Sequence, residues 1–340
     1  MKVLTPARVV AVLACFAGLL AVALLIGVSV GPSAVSLHDI ARVLFGDAAP
    51  SAASDIVMRI RLPRIALAAV VGAALAVSGV LFQALLRNPL ADPYVLGVSG
   101  GAALGGIAML SLGSGIGLGY GAVPPAAFAG ALATTFLLYA LAAARGRVSS
   151  TQLLLTGVVF NAFASAAIVF LASLSGLNEG AGIYIWLIGS LSASRADVAG
   201  WVALFLVAGL ASAIPMARSL NLLALGEEGA SQLGVDVERV KRVLLVSTSL
   251  MVGAAVSVAG LIGFVGLIIP HLLRLILGPD HRLLVPAAAF GGAIFLVLCD
   301  TFARTLLAGR ELPVGAITAV AGGPLFLWLL RRHHQRSFAS

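Results

Sequence analysis

The side chains of this sequence that could do chemistry are few and scattered. The chain has 340 residues, of which 13 are acidic, five are histidines and two are cysteines. It contains no glycine-rich loop followed by Lys-Ser/Thr, no HExxH and no CxxC, so neither a P-loop nucleotide site nor a common zinc motif is expected. Cys15 and Cys299 lie in apolar runs, where each reads as a small buried hydrophobe. The sequence therefore predicts no catalytic residue, no metal site and no cofactor held by this chain.

Acidic residues are also scarce where an ion-driven carrier needs them. All but Asp300 are expected in loops or at helix ends, and Asp300 itself lies within a turn or two of a helix end. A carrier driven by protons or sodium normally places an ionisable group near the middle of the membrane. The pattern favours an energy source on another polypeptide.

The elements that position these residues must be membrane helices. The chain is 61% hydrophobic and 10% charged, with a mean hydropathy of +1.11, whereas a soluble domain has about 25% charged residues. Lipid offers no partners to open backbone groups, so repeated apolar runs of about 20 residues indicate spanning helices. The sequence predicts an all-α integral membrane protein, one domain over residues 1–340 with ten transmembrane helices. The predicted spans are 9–30, 62–84, 94–112, 121–143, 151–174, 196–215, 242–262, 264–278, 284–307 and 313–330, and a small outer helix is expected around Gly182–Leu191.

The loop charges predict the orientation. With the N-terminus inside, 14 of the 21 lysines and arginines face the cytoplasm and 7 face outside. This bias favours both termini in the cytoplasm. It also explains the net charge of +8 without nucleic acid, because no basic cluster with interleaved aromatic residues occurs. The first apolar run, which follows Lys2 and Arg8, is longer than a usual signal-peptide core and is interpreted as a retained helix.

Three arginines stand out at the expected outer ends of two helices. Arg61 and Arg64 lie three residues apart at the start of the second span, on one helix face, and Arg304 ends the ninth. One interpretation is that they anchor the helices at the lipid interface. The other is a cationic docking patch for an acidic partner outside, which is favoured because outer arginines run against the charge bias.

An inner loop carries a dense set of turn residues. Asn88-Pro89 and Asp92-Pro93 each predict a non-helical junction, and Gly97 follows at once. This composition is typical of a shaped surface rather than a slack connector. With Pro270, which is expected to kink the short eighth span, these residues are predicted to form a structural or gating element.

The longest inner segment, 218–241, predicts two short amphipathic helices with a break near Gly226. They are too polar to span and too apolar to float freely, so they either dock into a cytoplasmic partner or lie on the lipid surface. The residues predicted to contact such a partner are Leu220, Gly226, Glu228, Ala230 and Gly234.

Several of these phrases occur together in one family. They are Arg61-Leu62-Pro63-Arg64, Asn88 to Pro93 with Leu96-Gly97, Trp186 with Gly189-Ser190-Leu191, Gly263 to His271, and Glu311 to Gly315. In combination, and over about 61–330, the chain resembles the membrane permease subunits of ABC importers for iron-siderophore, haem or cobalamin. It departs from the pattern at Gly229, where alanine is usual, and it has no clear downstream Ile-x-Leu-Pro.

The resemblance implies the large-chelate (type II) permease fold of ten helices, working as a homodimer in a bacterial cytoplasmic membrane. It implies two cytoplasmic ATP-binding subunits, which hold the ATP and Mg, and a periplasmic substrate-binding protein. By the same resemblance, Arg61, Arg64 and Arg304 would meet acidic residues of the binding protein, and 228–234 would form the coupling loop.

The cargo is left open by the sequence. An iron-siderophore or haem is the first expectation, and cobalamin is the alternative. Two remoter classes are an ion-coupled secondary transporter and an intramembrane enzyme using Ser99 or His271. Ser99 has no evident base in the sequence.

Overall fold

The computed structural model describes residues 4–33, 35–46, 51–113, 120–144, 147–174, 183, 186–191, 196–307 and 310–337. Within these ranges the chain is helical apart from its turns and one antiparallel pair of two-residue strands. The predicted all-α class is confirmed.

The first half of the chain contains six helices and the small hairpin. They are α1 (Pro6–Ser29), α2 (Leu37–Phe45), α3 (Ala52–Leu86), α4 (Val98–Gly113), α5 (Val123–Ala142), β1 (Ala143–Ala144), β2 (Arg147–Val148) and α6 (Ser150–Leu174). A π-helical turn, Ile56–Arg61, lies inside α3, and a short 3-10 helix, Pro93–Leu96, precedes α4.

The described part of the second half adds further helices. They are α7 (Ala196–Leu223), α8 (Glu227–Gln232), α9 (Val237–Ala259), α10 (Val265–Leu277), α11 (His281–Thr305) and α12 (Val314–Ser337). In the expected outer helix around Gly182–Leu191, the described residues Ile183 and Trp186 to Ile188 are helical.

Seven of these helices are long and apolar enough to cross a membrane: α1, α3, α5, α6, α7, α9 and α11. The apolar parts of α4, α10 and α12 are shorter, each 10–17 residues long. These ten helices overlap the ten predicted segments, but the number of them that cross the membrane stays a prediction. The largest differences are in α3, which begins at Ala52 rather than at residue 62, and in α7, which was expected to end at residue 215 but passes through Pro215 and ends at Leu223.

Helix α3 forms the centre of the bundle. In the most apolar stretch of α3, 83% of the residues are buried, whereas 6% are buried in the corresponding stretch of α1. Helices α7, α9, α10 and α11 surround it. The approach to α11 is closest at Gly72 and Gly292, where a Cβ on either residue would lie 2.2 or 2.1 Å from the carbonyl oxygen of the other. Only glycine permits this contact, as is common where membrane helices pack tightly.

The bundle has two polar ends. At one end the Arg8 guanidinium donates to the carbonyl of Leu277 (3.3 Å) and Ser150 donates to the carbonyl of Leu85 (3.1 Å). We call this the inner end, after the orientation predicted by the loop charges. At the opposite, outer end lie the start of the apolar part of α3 and the end of α11.

Candidate functional site

A buried arginine cluster joins α3 and α11 at the outer end. It consists of Arg61, Arg64, Asp300, Arg304 and Glu311. The Nε of Arg64 lies 3.0 Å from Asp300 Oδ1, and its Nη1 lies 2.7 Å from Glu311 Oε2. The Nε of Arg304 lies 3.1 Å from Asp300 Oδ2. The Asp300 carboxylate therefore bridges two guanidinium groups, and it lies 236 residues from Arg64 along the chain.

Arg61 closes the end of α1. Its guanidinium donates to the carbonyls of Val28 (2.6 Å), Ser29 (3.2 Å) and Ser33. The last carbonyls of a helix have no partner within the helix, and a cation there also interacts favourably with the negative end of the helix dipole. Arg304 adds a bond to the carbonyl of Gly27 (3.2 Å). The arginine cluster therefore fixes α1 to α3 and α11.

The three arginines were expected at the outer surface, either as anchors in the interface or as a docking patch. Instead their relative exposures are 2% for Arg61, 6% for Arg64 and 4% for Arg304. The expectation of exposed side chains is wrong for this chain, because acceptors distant in sequence fold over them. Three cations against two carboxylates still leave the cluster positively charged. Docking of a binding protein at this end stays a prediction.

At the inner end, residues 87–97 form the shaped turn that the sequence predicted. Arg87 ends α3 in the left-handed conformation (φ 52°). The side chain of Asn88 accepts from the Leu90 amide, and that of Asp92 accepts from the Tyr94 amide, both at 2.9 Å. Pro89 and Pro93 follow these two residues, and Gly97 ends the 3-10 helix with φ 83°. Burial raises the pKa of the Asp92 carboxyl above its ordinary value, although the Tyr94 amide opposes the shift.

Tyr94 attaches this turn to the break between α9 and α10. Its hydroxyl donates to the carbonyl of Ile262 (2.9 Å) and accepts from the amide of the same residue (3.1 Å). The Asn161 side chain of α6 donates to the Tyr94 carbonyl (2.9 Å). Sequence reasoning missed both residues, since a single tyrosine or asparagine in an apolar helix carries no pattern. Pro270 is buried inside α10, and Gly266 of the same helix packs against Pro93.

The predicted pair of amphipathic helices is one helix and the end of another. The first is the last part of α7, because that helix continues to Leu223, and only the second, α8, is separate. The break at Gly226 is confirmed, with φ 110°, and Gly234 follows α8 with φ 83°. Leu220 and Ala230 are fully buried and anchor the segment, whereas Glu228 and Gly234 are exposed.

An open groove of about 930 Å³ lies beside α8. Glu228, Ser231 and Gln232 are among the residues that line it, together with Arg87 and Asp236. Leu225 and Leu233, which flank α8 in sequence, are 70% and 60% exposed. This arrangement, apolar side chains beside a polar groove, is typical of a surface that receives another protein.

Ion pairs hold α8 to the rest of the inner end. The Nζ of Lys241, on α9, donates to Glu227 Oε2 (2.6 Å) and to the carbonyl of Val148 (2.7 Å). Arg87 Nη2 lies 3.2 Å from Glu227 Oε1. Glu238 accepts from the amide of Val148 (3.0 Å) and lies 3.6 Å from Lys241. We call Arg87, Val148, Glu227, Glu238 and Lys241 the inner ion-pair node.

A second inner contact joins the end of α7 to the start of α11. Asn221 donates to Asp280 Oδ1 (2.8 Å) and accepts from the amide of His281 (2.9 Å). Arg282 also pairs with Asp280 (2.6 Å). These bonds, first that from Arg282, lower the pKa of Asp280 to about 2.

The structure places Ser99, one of the two remote catalytic candidates, beside the 87–97 turn. Ser99 donates to the Tyr94 carbonyl (3.3 Å) with no base among its described contacts. Within the described residues no group of three or more His, Cys, Asp or Glu side chains could hold a metal ion.

A model of the FecCD transport family matches residues 19–332. The chain belongs to the FecCD transport family. It is 48% identical over 288 residues to the cobalamin import system permease protein BtuC of Halobacterium salinarum, a match that covers 85% of this chain and 76% of that protein. It is 42% identical over 313 residues to the hemin transport system permease protein HmuU of Yersinia pestis, which covers 87% and 89% of the two chains.

A solved structure described as an inward-facing conformation of a metal-chelate type ABC transporter is also similar to this FecCD permease. It superposes with a TM-score of 0.83 at 29% identity, over 95% of this chain and 99% of that one. The chain is thus a multi-pass membrane permease subunit of an ABC importer for metal chelates. It is not an enzyme, and ATP is hydrolysed on separate partner subunits.

Proposed function

We propose that this permease carries a bulky iron chelate, haem or a ferric siderophore, from the periplasm to the cytoplasm. The observation that carries the importer assignment is the family match over residues 19–332. The similarity to a hemin permease supports the iron chelate. A specific observation favours a second candidate, because the higher identity, 48%, is to a cobalamin permease.

The proposed assembly is a homodimer of this chain with two cytoplasmic ATP-binding subunits, which supply ATP and Mg, and one periplasmic binding protein. The groove beside α8 and the exposed Leu225 and Leu233 support this face as the ATPase contact. The excess positive charge of the arginine cluster supports the outer end as the place where the binding protein docks. Because the relevant surfaces lie at opposite ends, ATP hydrolysis and cargo delivery act on the two sides of the membrane.

We also propose that all ten apolar helices cross the bilayer, wholly or in part, with both termini in the cytoplasm. Helix α10 has 13 residues, about 20 Å at 1.5 Å per residue, less than the roughly 30 Å of the hydrocarbon core. The start of α9 and the end of α10 both lie at the inner end, which fits an ascending helix and a shorter descending one joined at 260–264.

The test is uptake by the complete complex in lipid vesicles with ATP enclosed. The permease would be purified with its ATPase subunits and binding protein, and radiolabelled haem, a ferric siderophore and cobalamin would be offered separately. We expect ATP-dependent accumulation of an iron chelate. Selective uptake of cobalamin would transfer the assignment to the second candidate.

The same vesicles test the energy source. Permease alone, with a proton or sodium gradient and no ATPase, should accumulate nothing. Accumulation under those conditions would overturn the importer proposal in favour of a secondary transporter, and chemical conversion of the cargo without transport would indicate an enzyme.

A further inference from the structure

The inner ion-pair node has a feature that packing alone does not require, a buried lysine on a helix that faces an aqueous groove. Lys241 is 2% exposed. Burying an ammonium group is costly unless its donors are satisfied and its charge is paired. Here its ammonium donates to Glu227 and to the Val148 carbonyl, and the carboxylate of Glu238 lies 3.6 Å away. The lysine is therefore held by two carboxylates on different helices.

The Glu227 carboxylate is the point where three elements meet. It is the first residue of α8; one of its oxygens accepts from Lys241 of α9 and the other from Arg87 at the end of α3. Helix α3 is the buried centre of the bundle. A movement of α8 would therefore act on both α9 and α3 through the side chain of Glu227.

Helix α8 is short and is anchored to the bundle through the buried Ala230 and the ion pairs of Glu227. It has six residues, and glycines with positive φ stand on either side, Gly226 and Gly234. Such backbone conformations are easily adopted by glycine and absorb changes of direction. Among its described residues Ala230 is buried, and the charged contacts to other helices come from Glu227.

From this arrangement we propose that Lys241 is a positioning residue of the transport cycle: through Glu227 it transmits the movement of α8 to α9 and α3. The inference rests on the proposed function, since it takes α8 to be moved by the ATPase subunits. Loss of Lys241 should uncouple the two activities rather than abolish either partner's binding.

The decisive measurement is the ratio of cargo transported to ATP hydrolysed by the complete complex in vesicles. For Lys241→Met, which keeps the apolar stem but removes the ammonium, we expect this ratio to fall about tenfold or more, within the range of typical coupling energies. The matched control is Arg242→Met on the adjacent, exposed residue, which should leave the ratio at the wild-type value.

Glu227→Gln provides a milder second variant, because Glu227 is 32% exposed and glutamine keeps the size of the side chain. It should lower the ratio as well, and the double variant should be no worse than the more impaired single one, since the two residues act as a unit. Thermal stability and retention of the ATPase subunits are measured on the same samples.

A folded, fully assembled Lys241→Met or Glu227→Gln complex with an unchanged ratio overturns the inference. So does a loss of thermal stability with no change in the ratio, because that result indicates a purely structural role. Failure of the proposed function is distinct: the wild-type complex would then transport no chelate with ATP, whatever the variants do.

Discussion

The arginine cluster at the outer end and the inner ion-pair node are both networks of arginine or lysine with two carboxylates, yet they are built differently. In the cluster, Asp300 is fully buried and bridges long, well-packed helices. In the node, Glu227 and Glu238 are about 30% exposed and one of them starts a six-residue helix between glycines. The comparison indicates that the outer arginine cluster is a fixed brace between α3 and α11, whereas the inner ion-pair node is a movable link between α8 and its neighbours.

The largest effect is expected from breaking the brace. Asp300→Ala leaves Arg64 and Arg304 buried without their shared carboxylate, which should lower the free energy of unfolding by about 3–5 kcal/mol. Thermal or denaturant unfolding of the purified permease in detergent measures the change. The control is Asp55→Ala, which removes the exposed pair with Arg59 and should cost no more than about 1 kcal/mol. Equal effects of the two variants would show that the cluster is not a brace.

The brace depends on the close approach of α3 to α11, and a methyl group there should separate them. In Gly72→Ala the new Cβ would lie 2.2 Å from the Gly292 carbonyl oxygen, and the required shift should cost about 1–3 kcal/mol. Gly200→Ala is the matched control, because nothing lies within 4 Å of its Cβ position. Unfolding midpoints of the two variants decide the matter; an unaffected Gly72→Ala protein would contradict tight packing at this point.

A third experiment asks whether the brace also serves docking. Glu311, which is 45% exposed, competes with any acidic partner for Arg64. Glu311→Gln should tighten the affinity for the binding protein by about two- to fivefold, the value of one partly exposed ion pair, and steepen its salt dependence. Glu228→Gln at the inner end serves as the control. Unchanged affinity and salt slope would remove the arginine cluster from the docking surface.

The smallest effect concerns the second inner contact. Because folding lowers the pKa of Asp280 from 3.8 to about 2, its contribution is present above about pH 4 and is lost as the pH falls through 2. Asp280→Asn should therefore reduce the free energy of unfolding by less than about 1 kcal/mol at neutral pH, and the difference from wild type should shrink in acid. Urea unfolding at neutral and acidic pH measures it; a difference that grows in acid would refute the assignment.

The helices were predictable from the sequence because a helix that crosses a membrane needs a long apolar run, and most bounds agree within a few residues. The main exceptions are the start of α3, at Ala52 rather than residue 62, and the end of α7, which passes through Pro215 where the predicted span stops. Neighbouring groups in membrane proteins can satisfy the carbonyl that a proline frees, so the helix continues to Leu223.

The candidate sites were predictable only as far as local pattern reaches. The arginines were found from their spacing, but their burial was not, because Asp300 and Glu311 are more than 230 residues away from Arg64 along the chain. Lys241 was interpreted as an ordinary inner-loop charge. Its contacts with Val148 and Glu227 arise from tertiary packing and leave no trace in the neighbouring sequence.

Helix α1 packs on the core through Leu13, Phe16, Leu20 and Leu24, and polar contacts secure it near both ends. Near the start of α1, Arg8 donates to a backbone carbonyl at the C-terminal end of α10. At the C-terminal end of α1, Arg61 and Arg304 donate to backbone carbonyls of α1 itself. Because these hydrogen bonds use backbone atoms, they do not restrict which apolar residues occupy the lipid-facing positions in the middle of α1. A FecCD permease without α1 would keep its central helices but would expose the guanidinium groups of Arg61 and Arg304 near the membrane surface.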